Sequence, residues 1–200
     1  MAPGHPPLAG NRPTRNNLPL MNPARNIELK ARLRDLAGAR YIALQIATEY
    51  VGVQQQTDTY FVCPQGRMKL REIVGQTAYL VWYDRGDDLQ SKNSDYLIQE
   101  VTAERAGQLK REMGIRAIVE KRREIFLYNN VRIHLDEVAQ LGSFLEFEAM
   151  LGPKVRPPAG RRQVAELRKV FNIQDADLLR ASYVDMLQEH REDIAVETPA

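Results

Sequence analysis

The chain has 200 residues, of which 44% are hydrophobic, and its formal net charge is +2. This length and apolar fraction predict one domain with a substantial core, and the nearly balanced charge argues against a general affinity for nucleic acid or anionic membranes. The single cysteine, Cys63, excludes an internal disulfide. Because no long apolar run or signal core is present, we expect a cytoplasmic protein that does not enter a membrane.

The first predicted strand follows a segment that is rich in Pro, Asn and Arg and has no apolar period. We predict a flexible tail over residues 1–25, a single domain over residues 26–190 and a second flexible tail over residues 191–200. Residues 26–34, NIELKARLR, alternate between apolar and polar side chains, which predicts a β-strand. Its polar face mixes carboxylate, ammonium and guanidinium groups.

Seven more strands and four helices follow in chain order. Asp35 can cap a helix that runs to about Tyr50, and Gly114 ends another that begins near Ala103. Alternation and turn residues predict the strands over residues 53–63, 66–74, 77–85, 94–102, 116–128, 131–138 and 143–151. Two further helical patterns cover residues 161–171 and 175–190. Short connections and few helices predict an α+β fold built on a large meandering antiparallel sheet or barrel.

Charged residues recur on one face of at least five of these strands. The cations on these faces are Lys30, Arg32, Lys69, Arg71, Arg85, Lys121, Arg123 and Arg132. The carboxylates are Glu28, Asp136, Glu146 and Glu148. Such cations suit a polyanion such as a phosphate chain, and the carboxylates suit Mg²⁺ or Mn²⁺. A sheet with one solvated face would show the same pattern, with charges paired across strands. The pattern alone leaves both interpretations open.

Several short motifs resemble one known family and occur in its order. Asn26-x-Glu28-x-Lys30, GRMKLRE, HLDEV and FLEFE resemble the CYTH family, also called triphosphate tunnel metalloenzymes. QTDTYF, SDY, EKRRE, LDEVAQLGSFLEFE and ASYVDML are most similar to its class IV adenylyl cyclase branch. The similarity covers roughly residues 26–151. The family opens with Glu-x-Glu-x-Lys, so the chain lacks one carboxylate at Asn26.

The resemblance implies a closed antiparallel barrel of eight strands whose charged faces line a tunnel, with amphipathic helices packed outside. It also implies a triphosphate substrate, a divalent metal and no covalent enzyme intermediate. The expected activity is that of a class IV adenylyl cyclase, which converts ATP to cyclic AMP and pyrophosphate. The alternatives are a hydrolase of tripolyphosphate, thiamine triphosphate or another triphosphate, and a non-catalytic binder of polyphosphate or nucleotide.

The resemblance also implies roles for the charged residues. We expect Glu28, Glu146 and Glu148 to bind Mg²⁺ or Mn²⁺, and Asp136 to be a further ligand or to orient a bound water. The eight cations above are expected to contact phosphates, and Lys121, Arg123 and Asp136 are the expected catalytic residues. Arg32 and Arg85 fit equally well as solvated charges at the tunnel mouths.

His134 alternates with the apolar residues of its strand, as Arg132 and Asp136 do, so it is expected to face the interior of the barrel. A single histidine in such a place is more often a hydrogen-bonded structural residue than a base. No nucleic-acid partner is expected, because aromatic side chains that stack on bases are not interleaved with the basic residues. A homodimer is compatible with the sequence.

Overall fold

The computed structural model describes residues 24–85 and 92–197, with side chains described over residues 25–83 and 97–191. Its strands are β1 (Ala24–Arg32), β2 (Glu49–Phe61), β3 (Arg67–Ile73), β4 (Ala78–Arg85), β5 (Lys92–Val101), β6 (Ile115–Tyr128), β7 (Val131–Val138) and β8 (Gly142–Met150). Its α-helices are α1 (Leu36–Ile46), α2 (Ala103–Glu112), α3 (Pro157–Val170) and α4 (Tyr183–Glu197). This α+β content is the one predicted.

All eight strands belong to one antiparallel sheet that curls around itself. Hydrogen-bonded neighbours follow the order β5, β4, β3, β2, β6, β7, β8 and β1. Strand β1 pairs with β8 through Asn26–Arg32 and with β5 through Ala24–Glu28. Beyond Glu28, the edge of β1 that faces β5 binds a later part of the chain, because the Leu179 N–H donates to the Lys30 carbonyl at 2.9 Å. Strand β1 therefore has hydrogen-bonded neighbours along both edges.

Helices cover part of the outer, apolar face of the sheet. Ile27, Leu29 and Ala31 of β1 belong to a buried cluster with residues of α1 and α3. One cluster lies inside instead: α4 packs against Val119 and Phe144, which have the parity of the inward residues Lys121 and Glu146, so the expectation that all helices pack outside is wrong for α4. On the outside, another cluster joins α2 to β3 and β5. Burying a Val, Leu, Ile or Phe side chain contributes about 1.5–3 kcal/mol, so this packing fixes which face of each strand is outside. Because strand side chains alternate, the charged residues of the same strands point to the inside of the curl.

Three predicted helix boundaries are wrong, and one of them is the start of α3, which lies at Pro157 and not at residue 161. Helix α1 begins after Asp35, whose carboxylate accepts a hydrogen bond from the Gly38 N–H at 2.9 Å as a cap should, but it ends at Ile46 and not near Tyr50. The Thr48 N–H donates to the Leu127 carbonyl of β6 at 2.8 Å. Pairing with β6 thus converts the segment after Ile46 into the start of β2, a tertiary contact that the local sequence does not show.

The last predicted helix, over residues 175–190, is divided into three parts. A 3-10 turn covers Asp175–Asp177, Leu178 then bridges to Ala31 of β1, and α4 begins at Tyr183. The Asp185 carboxylate accepts a hydrogen bond from the Ser182 N–H at 3.1 Å, which stabilises the first turn of α4. Docking of Leu178 on β1 therefore interrupts a continuous helical pattern.

No helix in the described ranges is both long enough and apolar enough to cross a membrane.

Candidate active site

A cavity lies against the inner face of the curled sheet, beside the start of α4. Nine of the predicted site residues line it: Glu28, Lys30, Lys69, Arg71, Lys121, Arg123, Arg132, Glu146 and Glu148. These side chains come from β1, β3, β6, β7 and β8, so the curl of the sheet gathers charges that are more than a hundred residues apart in sequence. The arrangement concentrates six cations and three carboxylates in one space.

Three predicted site residues do not line this cavity. Arg32 is exposed, donates to the Leu141 carbonyl at 3.2 Å and lies 5.3 Å from the centre of the Phe144 ring. Asp136 is fully buried behind Arg123. The side chain of Arg85 lies outside the described residues. Their predicted roles remain predictions.

Asp58 of β2 holds three of the cavity cations, and the sequence analysis gave it no role. Its carboxylate accepts two hydrogen bonds from Arg71 at 2.7 Å, one from the Lys69 ammonium at 3.0 Å and one from the Lys121 ammonium at 3.2 Å. The register explains this contact, because Asp58 is directly opposite Arg71 on the neighbouring strand. Two signals in the sequence pointed to it: Asp58 lies within the QTDTYF motif, and it lies two residues before Tyr60, which lines the cavity.

The charges around Asp58 fix its ionisation. Burial alone would raise the pKa of the Asp58 carboxyl, but the charges of Arg71, Lys121 and Lys69 outweigh burial and hold that pKa well below its usual value. Burial and the neighbouring Arg123 lower the pKa of the Lys121 ammonium, and the charge of Asp58 opposes them. Asp58 therefore stays ionised at neutral pH and anchors the cations of β3 and β6.

A second buried network fixes the guanidinium of Arg123. Its Nε and Nη2 donate to the two Asp136 oxygens at 2.6 and 2.5 Å, and Nη2 also donates to Glu146 Oε2 at 2.7 Å. The Tyr183 hydroxyl donates to Asp136 Oδ2 at 2.7 Å. Both Asp136 oxygens are thus occupied, and this carboxylate acts here by orienting Arg123.

Tyr183 is the second functional side chain that the sequence analysis missed. It begins α4 and lines the cavity, and the Lys30 ammonium lies 3.6 Å from the centre of its ring, a cation–π contact. Burial, and next the charge of Asp136, raise the pKa of the Tyr183 hydroxyl well above its usual value, so the hydroxyl keeps its proton and donates. The ASYVDML motif pointed to this segment but not to its position inside the cavity.

Carboxylates and one imidazole gather on the inner faces of β1, β7 and β8. Glu28 is directly opposite Glu148 in the sheet, and like charges in that position repel unless a cation lies between them. Potential ligand atoms of His134, Glu146 and Glu148 all lie within 4.8 Å of one another. Burial, and next Arg123, lower the pKa of the His134 imidazole and favour its neutral form. Oxygen and imidazole donors of this kind fit a divalent metal ion.

Asn26, which stands where the similar family has its first glutamate, also faces the cavity. Its side chain is 3% exposed, and its Oδ1 has no hydrogen-bond partner among the described residues. A buried carbonyl oxygen without a partner costs about 1–3 kcal/mol, so this oxygen favours an incoming cation or hydrogen-bond donor. The amide can coordinate as the carboxylate would, but it brings no charge.

Comparisons with known proteins agree with this architecture. A family model described as the CYTH domain matches residues 24–183. The solved PH1012 protein of Pyrococcus horikoshii is 22% identical with a TM-score of 0.71, and the match covers 80% of this chain and 98% of that one. A candidate adenylate cyclase of Vibrio parahaemolyticus is 23% identical with a TM-score of 0.66, covering 82% of this chain and 97% of that one.

A third solved structure is a candidate adenylyl cyclase from Hippeastrum that is described as having a dominant triphosphatase activity. It is 12% identical with a TM-score of 0.63, and the match covers 82% of this chain and 96% of that one. At these identities, the three structures show a shared fold. No curated protein matches the chain.

Proposed function

The chain belongs to the CYTH domain family, and we propose that its eight strands close into a tunnel that binds a triphosphate together with a divalent cation. The observation that carries this proposal is the lining of one cavity by six Lys and Arg side chains beside three glutamates. Solvated surface charges would not be buried, yet Lys30, Lys121 and Arg123 are each less than 8% exposed. Buried cations require anions: Asp58, Asp136 and Glu146 supply some of them, and phosphate oxygens would supply more.

The proposed reaction is that of a class IV adenylyl cyclase. The ribose 3′-hydroxyl of ATP loses its proton to solvent and its oxygen attacks the α-phosphorus. The bond from that phosphorus to the bridging oxygen breaks, and pyrophosphate leaves with the electron pair. Lys69, Arg71 and Lys121 would bind the phosphates, and Arg123 would stabilise the charge that develops on the leaving group. Positioning and charge neutralisation account for most of the rate in such in-line displacements.

The divalent cation would be held by Glu146 and Glu148, with Glu28 opposite Glu148 on the neighbouring strand. When bound, such an ion neutralises phosphate oxygens as a Lewis acid. Asp136 contributes as a positioning residue, because it orients the Arg123 guanidinium through two hydrogen bonds. Mg²⁺ and Mn²⁺ both suit carboxylate oxygens of this kind.

Hydrolysis of a triphosphate is the second candidate activity. The same lining residues would then hold tripolyphosphate, thiamine triphosphate or a nucleoside triphosphate, and water would attack the terminal phosphorus. One observation favours it: the Hippeastrum protein of the same fold is described as dominantly a triphosphatase. A non-catalytic binder of the same ligands is the remaining alternative.

Product analysis separates these activities. The full chain is incubated with Mg²⁺ or Mn²⁺ and, in turn, with ATP, tripolyphosphate and thiamine triphosphate. Cyclic AMP with pyrophosphate is the expected result, orthophosphate would establish the hydrolase, and tight binding without turnover would establish the binder. No binding of any triphosphate would contradict the proposal as a whole.

A matched pair of variants tests whether the cavity is the site. Arg132 lines it and is half-exposed, so Arg132→Gln should raise the KM for the triphosphate without unfolding the protein. Arg122 lies on the outer face of β6, where it pairs with Glu137 at 2.9 Å, so Arg122→Gln should leave the KM unchanged. Equal effects of the two substitutions would place the binding site elsewhere.

A further inference from the structure

His134 is a buried side chain on the inner face of the sheet, next to the cavity glutamates, and the reaction described above does not use it. It lies on β7 directly opposite Glu146 on β8, and it is 4% exposed. Its Nδ1 lies 3.6 Å from Glu146 Oε2 and 3.9 Å from Glu148 Oε1. Both separations exceed a hydrogen bond, and Nδ1 has no hydrogen-bond partner among the described residues. A buried ring nitrogen in this state is available to a ligand.

The separations among these three side chains match those around one metal ion. Ligands about 2.1 Å from an ion in octahedral geometry are about 3 Å apart when adjacent and about 4.2 Å apart when opposite. The distances from Nδ1 to the two carboxylates fall in this interval, and the ligand atoms of the three residues all lie within 4.8 Å of one another. One ion can therefore contact all three groups after small side-chain rotations.

A purely structural histidine would have a different environment. Buried ring nitrogens are normally satisfied by a hydrogen bond, because an unmade bond costs about 1–3 kcal/mol. The nearest carboxylate oxygen, Glu146 Oε2, instead accepts its short bond from Arg123 at 2.7 Å. Nδ1 thus faces two anionic oxygens without bonding to either, an arrangement that a cation between the three groups would stabilise.

We propose that His134 is a direct nitrogen ligand of the divalent ion, together with Glu146 and Glu148, and that the site consequently prefers Mn²⁺ to Mg²⁺. This inference rests on the proposed function for the presence of a divalent ion and specifies its ligands and its identity. Mg²⁺ is a hard ion that takes oxygen ligands, whereas imidazole binds the later divalent metals more readily.

Pulsed electron paramagnetic resonance of bound Mn²⁺ tests the nitrogen ligand without any turnover. Mn²⁺ is added to the full chain in the absence of triphosphate, and electron spin echo modulation is recorded. The expected spectrum shows coupling to ¹⁴N, which changes to coupling to ¹⁵N when the histidines alone are labelled with ¹⁵N. Because labelling alters no contact, this measurement holds even if a variant of His134 fails to fold.

Two variants assign the signal to one residue. His134→Gln should remove the nitrogen coupling, and His190→Gln, which changes an exposed histidine of α4, should retain it. Replacing residues that only support a ligand weakens metal binding by roughly 10- to 100-fold, so we expect His134→Gln to weaken Mn²⁺ binding at least as much. Calorimetric titration should show a much smaller effect on Mg²⁺, because Mg²⁺ gains little from the ring nitrogen.

Several outcomes would overturn the assignment. In the wild-type chain, these are a failure to bind Mn²⁺ and bound Mn²⁺ that shows no nitrogen coupling. In His134→Gln, they are nitrogen coupling that persists and equal losses of affinity for Mn²⁺ and Mg²⁺. Turnover measured with Mg²⁺ and with EDTA keeps the proposed function separate. Metal-dependent turnover without nitrogen coupling would reject only the histidine ligand, whereas undiminished turnover in EDTA would reject the divalent ion itself.

Discussion

Cross-strand register decides which charged residues meet in the cavity. Asp58 is opposite Arg71, Arg123 is opposite Asp136, and Lys30 is opposite Glu146. Each of these pairs forms an ion pair on the inner face of the sheet. The cations are consequently held in position before any substrate arrives, and such preorganisation is a main source of electrostatic catalysis.

Replacing Glu148 by Gln should abolish metal-dependent turnover while the protein stays folded. The substitution removes one anionic ligand but keeps the shape of the side chain, so we expect turnover to fall by at least about 100-fold, the scale for losing one preorganised electrostatic group. Steady-state assays with Mg²⁺ and Mn²⁺ measure this, and circular dichroism checks the fold. Glu137→Gln, on the exposed outer face of β7, is the control. Near wild-type activity in Glu148→Gln would remove Glu148 from the metal site.

Replacing Asp58 by Asn should destabilise the fold at neutral pH. The change leaves the Lys121 ammonium and its neighbours without their buried counter-ion, and breaking a buried ion pair from one side costs about 3–5 kcal/mol. Urea denaturation measures the free energy of unfolding. Glu72→Gln is the control, because Glu72 pairs with Lys110 at the surface of the same sheet and its removal should change stability by less than about 0.5 kcal/mol.

The effect of Asp58→Asn should depend on pH in one direction. The folded protein lowers the pKa of Asp58, so this carboxylate stabilises the fold fully above its usual pKa of 3.8 and progressively less as the pH falls below it. The difference between wild type and Asp58→Asn should therefore shrink by up to about 1.4 kcal/mol per pH unit below that value. A difference that is the same at pH 7 and pH 3 would show that the ionised carboxylate is not the stabilising form.

At the scale of elements, β1 has one face for the core and one for the site. The outward residues of β1 pack under α1 and α3, and the inward residues Glu28 and Lys30 line the cavity. A shift of one residue in register would exchange the two faces and bury the charges against the helices. The helices thus determine the site indirectly, because they fix which face of the sheet is outside.

Replacing Asp35 by Ala should lower stability without changing turnover. The Asp35 side chain caps α1 by accepting from the Gly38 N–H at 2.9 Å, and loss of such a cap costs about 0.5–2 kcal/mol. Thermal unfolding measures the loss, and the KM and kcat for the triphosphate should stay at wild-type values because α1 packs outside the sheet. Asp35→Asn keeps an acceptor oxygen and should recover most of the stability. A loss of turnover in Asp35→Ala that Asn does not restore would connect α1 to the site.

Strands β7 and β8 were predicted more accurately than the end of α1 and the start of α4, for a physical reason. Alternation of apolar and polar side chains is a local pattern that a strand with two different faces produces. The strands predicted over residues 131–138 and 143–151 therefore agree with the bounds of β7 and β8 to within one residue. Helix ends depended on contacts with distant strands, such as Thr48 with Leu127 and Leu178 with Ala31. Local sequence contains no information about those partners.

At the scale of the whole molecule, charge is distributed unevenly. The net charge is only +2, yet six Lys and Arg side chains share one cavity. The stability of this arrangement depends on buried partners such as Asp58, Asp136 and Glu146. A bound triphosphate would add further anions to the same cations, so ligand binding should stabilise the fold.

The midpoint temperature of thermal unfolding, Tm, should therefore rise when a triphosphate and a divalent ion are added together. A ligand at 100 times its Kd stabilises the folded state by about 2.7 kcal/mol, and one kcal/mol raises the Tm of a chain of this size by about 2–4 °C, giving about 5–10 °C. A tripolyphosphate analogue with methylene bridges prevents hydrolysis during the scan. Sodium sulfate at the same ionic strength should give a much smaller rise. Equal rises for the two salts would show that the cavity does not select a triphosphate.

The sequence by itself determined the alternation of the strands, the outward apolar faces and the family, because these depend on local periodicity and on short motifs in order. It also placed nine charged residues that the fold brings to one cavity. Only the tertiary structure decided which charges pair with one another. Asp58, Tyr183 and His134 acquire their positions from strand register and from the docking of α4, and such contacts form between residues far apart in the chain.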